Sequence, residues 1–372
     1  MPSASVKLKS ASCQIAYWEG GGLRIANYLT RKTFSADPAA LKLMDFFSTP
    51  RTIEEALFEF RNYSRKSVAK SLLQLIDAQL LLMQGSAELE QDARVSAAWR
   101  PWLPECAFHF MTQDTPYAPF DWPIAKKLKL ASKDPMPPQF KTVRGTDRVR
   151  LRSYRAVADP FFETLHTRRT HREFARGKVS LEDVARLLQT TWGVQGYFRA
   201  TGFGRLPYKT SPSGGARHPG EVYLMALRVD GLERGLYHYS AADHVLTRLP
   251  ADVKPRSASA YCAGQSYVGR AAALFIMTAV FARTMWKYRR ARAYRVVLLE
   301  TGHLCQTFCL AATRLGLAPF STAALKDTLI ERDLGLDGIA ESVLYVAGVG
   351  LPVRRMRARF AASSGGAISQ RE

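Results

Sequence analysis

Residues 211–240 read SPSGGARHPGEVYLMALRVDGLERGLYHYS, a glycine loop that runs into apolar segments. Pro212 and Pro219 bracket Gly214-Gly215, and two residues without side chains let the backbone come close to a flat ligand. No Gly-Lys-Ser/Thr follows, which excludes a Walker phosphate cradle. Upstream, Gly202-Phe203-Gly204 lacks the third glycine and the preceding strand of a dinucleotide fingerprint. Past the loop, EVYLMALRV reads as a buried strand. Asp230-Gly231 supplies a turn and LYHYS the returning partner.

The same logic extends in both directions. LFIMTAVF (274–281) is another buried strand, 292–315 a long helix closed by Gly316, and ESVLYVAGVG (341–350) a final strand. Upstream, Ser180-Leu181-Glu182-Asp183 is a capping box that opens a helix through Leu187, Leu188 and Trp192. This order predicts an α+β domain over 161–355, a mixed sheet covered by helices, with a flexible tail over 356–372.

The first 91 residues read as a unit of their own. CQIAYW and LRIANYL flank Gly20-Gly21-Gly22, a hairpin signal. PAALKLMDFF has helical spacing, and Thr52-Ile53-Glu54-Glu55 caps a second helix. A third runs from about Arg65 to Ala78 with Val68, Leu72, Leu75 and Ile76 as its buried stripe, and QLLLM is a closing strand. The expectation is a winged-helix-like domain. Residues 92–160, with WRPWLPE, DTPYAPFDWP and KDPMPPQF, read as a proline-rich connector.

Fifty-three basic residues against 32 acidic leave +21 in a chain of 372 residues, which favours an anionic partner. The arginines are dispersed and no nucleic-acid motif accompanies them, so an acidic peptide is the better expectation. The longest apolar run, Ala271 to Ala282, is too short to span a bilayer, and the N-terminus has no signal-peptide core. Five scattered cysteines form no CxxC pair, and Cys305 and Cys309 share a helix face without a completing zinc ligand. A reduced, cytoplasmic protein without a metal is expected.

Two further stretches carry chemistry. Arg168-Arg169-Thr170-His171-Arg172 sets guanidinium forks beside a hydroxyl, a donor set suited to a phosphate. MWKYRRARAYR (285–295) surrounds Lys287-Tyr288 with four arginines, at the point where a buried strand is expected to give way to a helix. Burial and like charge would both favour neutral Lys287, a competent base. A solvated basic corner is the plainer reading of the same residues. His303, inside an apolar helix, is expected in the core, and His218 beside the glycine loop could face a substrate.

Taken in chain order, RRTHREF (168–174), PSGGARHP (212–219), Lys287-Tyr288, LETGHLCQ (299–306) and ESVLYVAGVGLP (341–352) resemble the SagB-type azoline dehydrogenase branch of the FMN-dependent nitroreductase family. The resemblance implies a homodimer with FMN in each of two interface sites. Arg168, Arg169, Thr170 and Arg172 would bind the flavin phosphate and ribityl end, and Arg354 would complete the phosphate site. Pro212, Ser213 and Gly214 would lie against the ring, and Phe320 and Ser321, within Pro319–Thr322, would bring backbone near it. That last stretch has no glycine where the family pattern has one. Lys287 would take the Cα proton of a thiazoline or oxazoline while hydride leaves to flavin N5, and Tyr288 would relay the proton or hold a ring heteroatom.

Residues 34–83 also resemble the PqqD-like leader-recognition domains of peptide-maturation enzymes, which implies a ribosomally made precursor peptide as substrate and a cyclase as partner. Two other functions use the same residues: a nicotinamide-dependent nitro- or quinone-reductase, and an inactive peptide- or nucleic-acid-binding scaffold.

Overall fold

The computed structural model describes residues 6–123, 126, 138–140, 151 and 159–353. The chain divides into two compact units: 1–113 with 281–296 and 337–341, and 114–280 with 297–336 and 342–372.

The first unit opens with β1 (Lys7–Ser10). Gly20 and Gly21, both at positive φ (57° and 80°), turn β2 (Gln14–Glu19) back as β3 (Gly22–Asn27), and β4 (Lys32–Ala36) adds an antiparallel edge. After α1 (Ala39–Phe46) come β5 (Arg51–Thr52), α2 (Ile53–Glu59), α3 (Arg65–Asp77) and β6 (Leu81–Met83), with β5 and β6 flanking β1. The capping box forms as its sequence predicts. Glu55 N–H donates to Thr52 Oγ1 at 3.2 Å, and the Glu55 carboxylate accepts Thr52 N–H at 2.6 Å. Val68, Leu72 and Leu75 are buried with Leu8, Ile25 and Phe47.

The expected boundary at residue 91 falls inside α4 (Ala87–Trp99), and α5 (Leu103–Thr112) follows within a few residues. Residues 92–112 are therefore helical rather than an extended connector. Pro101 and Pro104 each sit in the first turn of a helical segment, where a missing N–H costs nothing. Trp99, Trp102 and Cys106 are fully buried there.

The second unit runs through α6 (Pro160–Thr167), β7 (Val179–Ser180), α7 (Leu181–Thr191), β8 (Gly196–Ala200), β9 (Gly204–Tyr208), β10 (Gly220–Ala226), β11 (Val229–Asp230), β12 (Gly235–Ser240), β13 (Val245–Arg248), α8 (Pro255–Tyr261) and β14 (Ala273–Val280). Next come α9 (Phe281–Lys287), which belongs to the first unit, then α10 (Ala293–Arg314), β15 (Ala318–Thr322), α11 (Asp327–Leu334) and β16 (Glu341–Gly350).

Six strands form one sheet in the order β13-β12-β10-β14-β16-β15. Its centre is buried on both faces because β10 and β14 are nearly unbroken apolar runs, interrupted by Glu221 and Thr278. Val222, Leu224, Phe275 and Met277 point to one side, where Leu187 of α7, Trp192 just past its end and Phe308 and Ala312 of α10 cover them. Tyr223, Met225, Leu274 and Ile276 point to the other, under Tyr261 of α8 and Ile330 of α11. α10 has the length and composition to cross a membrane. Its apolar residues Leu304, Cys305, Phe308 and Ala312 are core residues of this unit.

Candidate functional site

RRTHREF leaves α6 as an extended segment laid along the sheet end. His171 N–H donates to Pro319 C=O at 2.9 Å, and Ala175 N–H to Leu351 C=O at 2.9 Å. Two glycines of the terminal motif make that approach possible. A Cβ on Gly350 would lie 2.6 Å from the Phe174 ring, and one on Gly348 2.5 Å from the Phe320 ring. These glycines serve ring packing. The Phe320 ring is itself core, 1% exposed against Phe174 and Tyr267. What it can offer a ligand is therefore backbone. β15 is the edge strand of the sheet, and Pro319 already turns its carbonyl outward to His171. Strand alternation puts the backbone groups of Ser321 on that same edge.

The arginines separate in role. Arg169 is spent on structure: its Nη1 donates to the carbonyls of His166 and Arg168, at 2.7 and 2.8 Å, closing the last turn of α6. Arg168 is half-buried, and its positive charge favours thiolate at both Cys305 and Cys309 on α10. Thr170 and Arg172 are exposed, Arg172 standing 5.8 Å from the Tyr267 ring centroid. Burial and then the Arg168 charge lower the pKa of His171, so this buried imidazole is held neutral. Arg354 lies outside the described residues.

The i,i+4 cysteines, an incomplete metal site by sequence, lie beside the arginine motif. The thiol of Cys309 donates to Cys305, which lowers the pKa of Cys305 and raises that of Cys309. Ser321 and Tyr345 also support Cys305, and Tyr345 O–H donates to Ser321 Oγ at 3.1 Å. All five cysteines are free and buried.

The PSGG loop reaches the same helix. Ser211, 4% exposed, shares a 2.7 Å hydrogen bond with Thr307 of α10. Ser213 Oγ accepts His218 N–H at 2.8 Å, which leaves its hydroxyl proton able to donate elsewhere. Gly215, Ala216 and His218 all take positive φ (63°, 54° and 44°), and two of these carry side chains. Such local strain persists where surrounding structure over-determines it, commonly at ligand clamps. Pro212 is exposed, whereas Ser213 and Gly214 are half-buried. Three motif segments thus converge on α10: Arg168 after α6, Ser211–Gly214, and Ser321 on β15. The donors there are guanidinium, hydroxyl and backbone groups, the chemistry that binds a phosphate ester and a flat polar ring. These residues fit FMN.

Lys287 and Tyr288 are not at a strand-to-helix junction. β14 passes directly into α9, and the pair closes that helix, Lys287 as its last residue. Both side chains are half-buried, with Lys287 Nζ 5.6 Å from the Tyr288 ring centroid. An aromatic block in the first unit fixes them. Trp102 Nε1–H donates to Tyr288 C=O at 3.0 Å, and Trp99 packs on Phe281, His109 and Tyr294. His109 Nδ1 and Tyr294 Oη are 2.9 Å apart, and burial pushes the His109 pKa down to about 3. His303, expected in the core, lies exposed on α10 with Leu299 and Gln306. Its neighbours Leu304 and Cys305 take the buried positions.

The first unit carries a cleft of its own. A cleft of about 700 Å³ opens between β4 and α3, with Phe34, Leu43, Phe60, Tyr63, Val68 and Leu75 among its lining. β4 is an edge strand there.

The Nitroreductase family model matches residues 165–351, half of the chain. This chain belongs to the nitroreductase family. MJ1384 of Methanocaldococcus jannaschii, which carries a provisional nitroreductase name, is 31% identical over 172 residues, 46% of this chain and 82% of that protein. The trifolitoxin-processing protein TfxB of Rhizobium leguminosarum bv. trifolii is 35% identical over 142 residues, 37% of this chain and 38% of TfxB. The microcin B17-processing protein McbC of Escherichia coli is 28% identical over 167 residues, 44% of this chain and 58% of McbC. The chain thus spans less than two thirds of both peptide-processing relatives.

Proposed function

We propose that this chain is an FMN-dependent dehydrogenase of the SagB type that matures a ribosomally made peptide, most simply by oxidising an azoline ring to an azole. The observation that carries the reading is the convergence of the arginine, PSGG and β15 segments on α10. The likeness to two peptide-processing proteins favours a peptide substrate over a free nitro compound.

FMN, when bound, supplies a two-electron acceptor that takes hydride at N5. Arg168 and Arg172, with Thr170, hold its phosphate, and Ser213, Gly214 and the outer edge of β15 at Ser321 face its ring. Lys287 takes the Cα proton, and Tyr288 holds or relays it. Trp102 keeps the backbone of that pair in place. The first unit acts as a winged-helix-like leader reader. The free edge of β4 would add one strand of the leader by backbone pairing, while the apolar cleft beside α3 selects side chains. The enzyme works as a cytoplasmic homodimer, with the exposed stripe of α10 at Leu299, His303 and Gln306 as one contact, and with a cyclase that makes the ring it oxidises.

The deciding measurement is the absorption spectrum of the purified protein, with mass identification of any extracted chromophore. A flavin spectrum that yields FMN is expected. A colourless protein that takes up no added FMN would remove the dehydrogenase reading.

A further inference from the structure

The β8–β9 ribbon serves none of the roles above. Among the described residues its two strands pair only with each other, as a sheet of their own. Directly opposite residues share a face. Tyr197 with Pro207 and Arg199 with Arg205 therefore lie on one side, and Gly196 with Tyr208 and Phe198 with Leu206 on the other. Four rings of the ribbon and its turn are well exposed: Tyr197 at 46%, Phe198 at 43%, Phe203 at 41% and Tyr208 at 50%.

The basic face is the informative one. Arg199 stands opposite Arg205, and like charges placed so are destabilising in an antiparallel pair. Neither has a carboxylate partner among the described residues, and Arg205 lies over the Tyr197 ring at 4.0 Å. An anion laid across the pair would relieve the repulsion, and the ring beside it would take a planar group. The ribbon is also tied to the candidate site. His218 Nε2–H donates to Pro207 C=O at 3.1 Å, joining the base of β9 to the end of the PSGG loop.

We propose that the β8–β9 ribbon docks the substrate polypeptide, gripping a stretch where a carboxylate side chain neighbours an aromatic or azole ring. The occupant's being the substrate rests on the peptide-maturation reading; the charge complementarity does not. The test is fluorescence anisotropy on the full chain with a short labelled peptide in which glutamate alternates with phenylalanine. A matched peptide carries glutamine for glutamate. The wild type should bind the acidic peptide, and at least about tenfold more weakly after R199Q/R205Q or when given the glutamine peptide, a difference of ~1.4 kcal/mol. Y197A, which leaves the charges, should weaken binding as well and serves if the double variant misfolds by circular dichroism.

No binding by the wild type, or equal binding by R199Q/R205Q, would overturn the proposal. So would tighter binding of a DNA duplex through the same arginines, or a gel-filtration dimer that R199Q/R205Q dissolves, since the ribbon would then belong to nucleic acid or to a second copy. Anisotropy requires no turnover. A protein that binds the peptide through these arginines but holds no FMN would keep this inference and lose the enzyme reading.

Discussion

Lys287→Ala and Tyr288→Phe should each lower oxidation of an azoline peptide by about 10²–10⁴-fold while leaving bound FMN unchanged, the span typical of losing a positioned acid or base. Full turnover in both proteins would return the pair to the status of a basic corner. Trp102→Phe probes the support beneath them. It keeps a ring in a fully buried position and removes the indole N–H that donates to Tyr288 C=O. A lost buried hydrogen bond is worth about 1–1.5 kcal/mol, so kcat should fall about tenfold with KM for the peptide little changed. Sequence and structure part company at this scale. Arg168, Ser213 and Ser321 could be named from motif order, and the structure brings their segments to one helix. Trp102 could not, because its partner lies 186 residues away. Arg169 looked equivalent to Arg168 until its guanidinium was seen capping α6.

Gly350→Ala links the elements to the site. A Cβ there would lie 2.6 Å from Phe174, pushing the RRTHREF segment off β16, and overpacking of this kind costs about 1–3 kcal/mol. The expected outcome is a lower melting temperature together with a lower FMN content after purification. FMN retained at the wild-type level would show that the arginine segment does not depend on this contact. Elements with a strong local signature were legible in the sequence. β10, β14 and β16 are nearly unbroken apolar runs, α2 has its capping box, and α10 ends before Gly316 at φ 72°. Those that depend on partners were not. β1 and β5 are short strands defined only by pairing, and β8–β9 carries arginine, proline and three exposed rings where alternation should show. After α4, Pro101 and Pro104 suggest an extended chain, because their position in a first helical turn becomes visible only with the helix in place.

The two units should respond to acid differently. In the first, His109 is buried neutral, its pKa brought down to about 3 by desolvation, whereas an unfolded histidine titrates near 6.5. As pH falls below 6.5 the unfolded chain gains a proton that the folded one refuses, so stability is lost progressively down to about pH 3. In the second, Glu331 is 5% exposed, and burial pushes its pKa up to about 7 even though Ser342 Oγ–H and Val343 N–H donate to it. Here the folded state keeps a proton that the unfolded chain, titrating near 4.5, has already released. Its stabilising effect is complete below pH 4.5 and lost as pH rises through 7. Each titration changes stability by about 1.4 kcal/mol per pH unit within its window. Calorimetry between pH 7 and pH 5 should therefore show the transition of the first unit moving down by on the order of 2 kcal/mol and that of the second holding steadier, because the gain at Glu331 offsets the loss at His171, the other imidazole that burial keeps neutral. His109→Gln, which keeps a polar partner for Tyr294, should flatten the first trend alone. Glu331→Gln, which keeps the acceptor for Ser342 and Val343, should remove the offset, so that the second unit falls with acid as well while the first is unchanged. If both substitutions altered both transitions equally, the units would be melting as one cooperative body, and the division of the chain at Gln113, Val280 and Val296 would not be an energetic one.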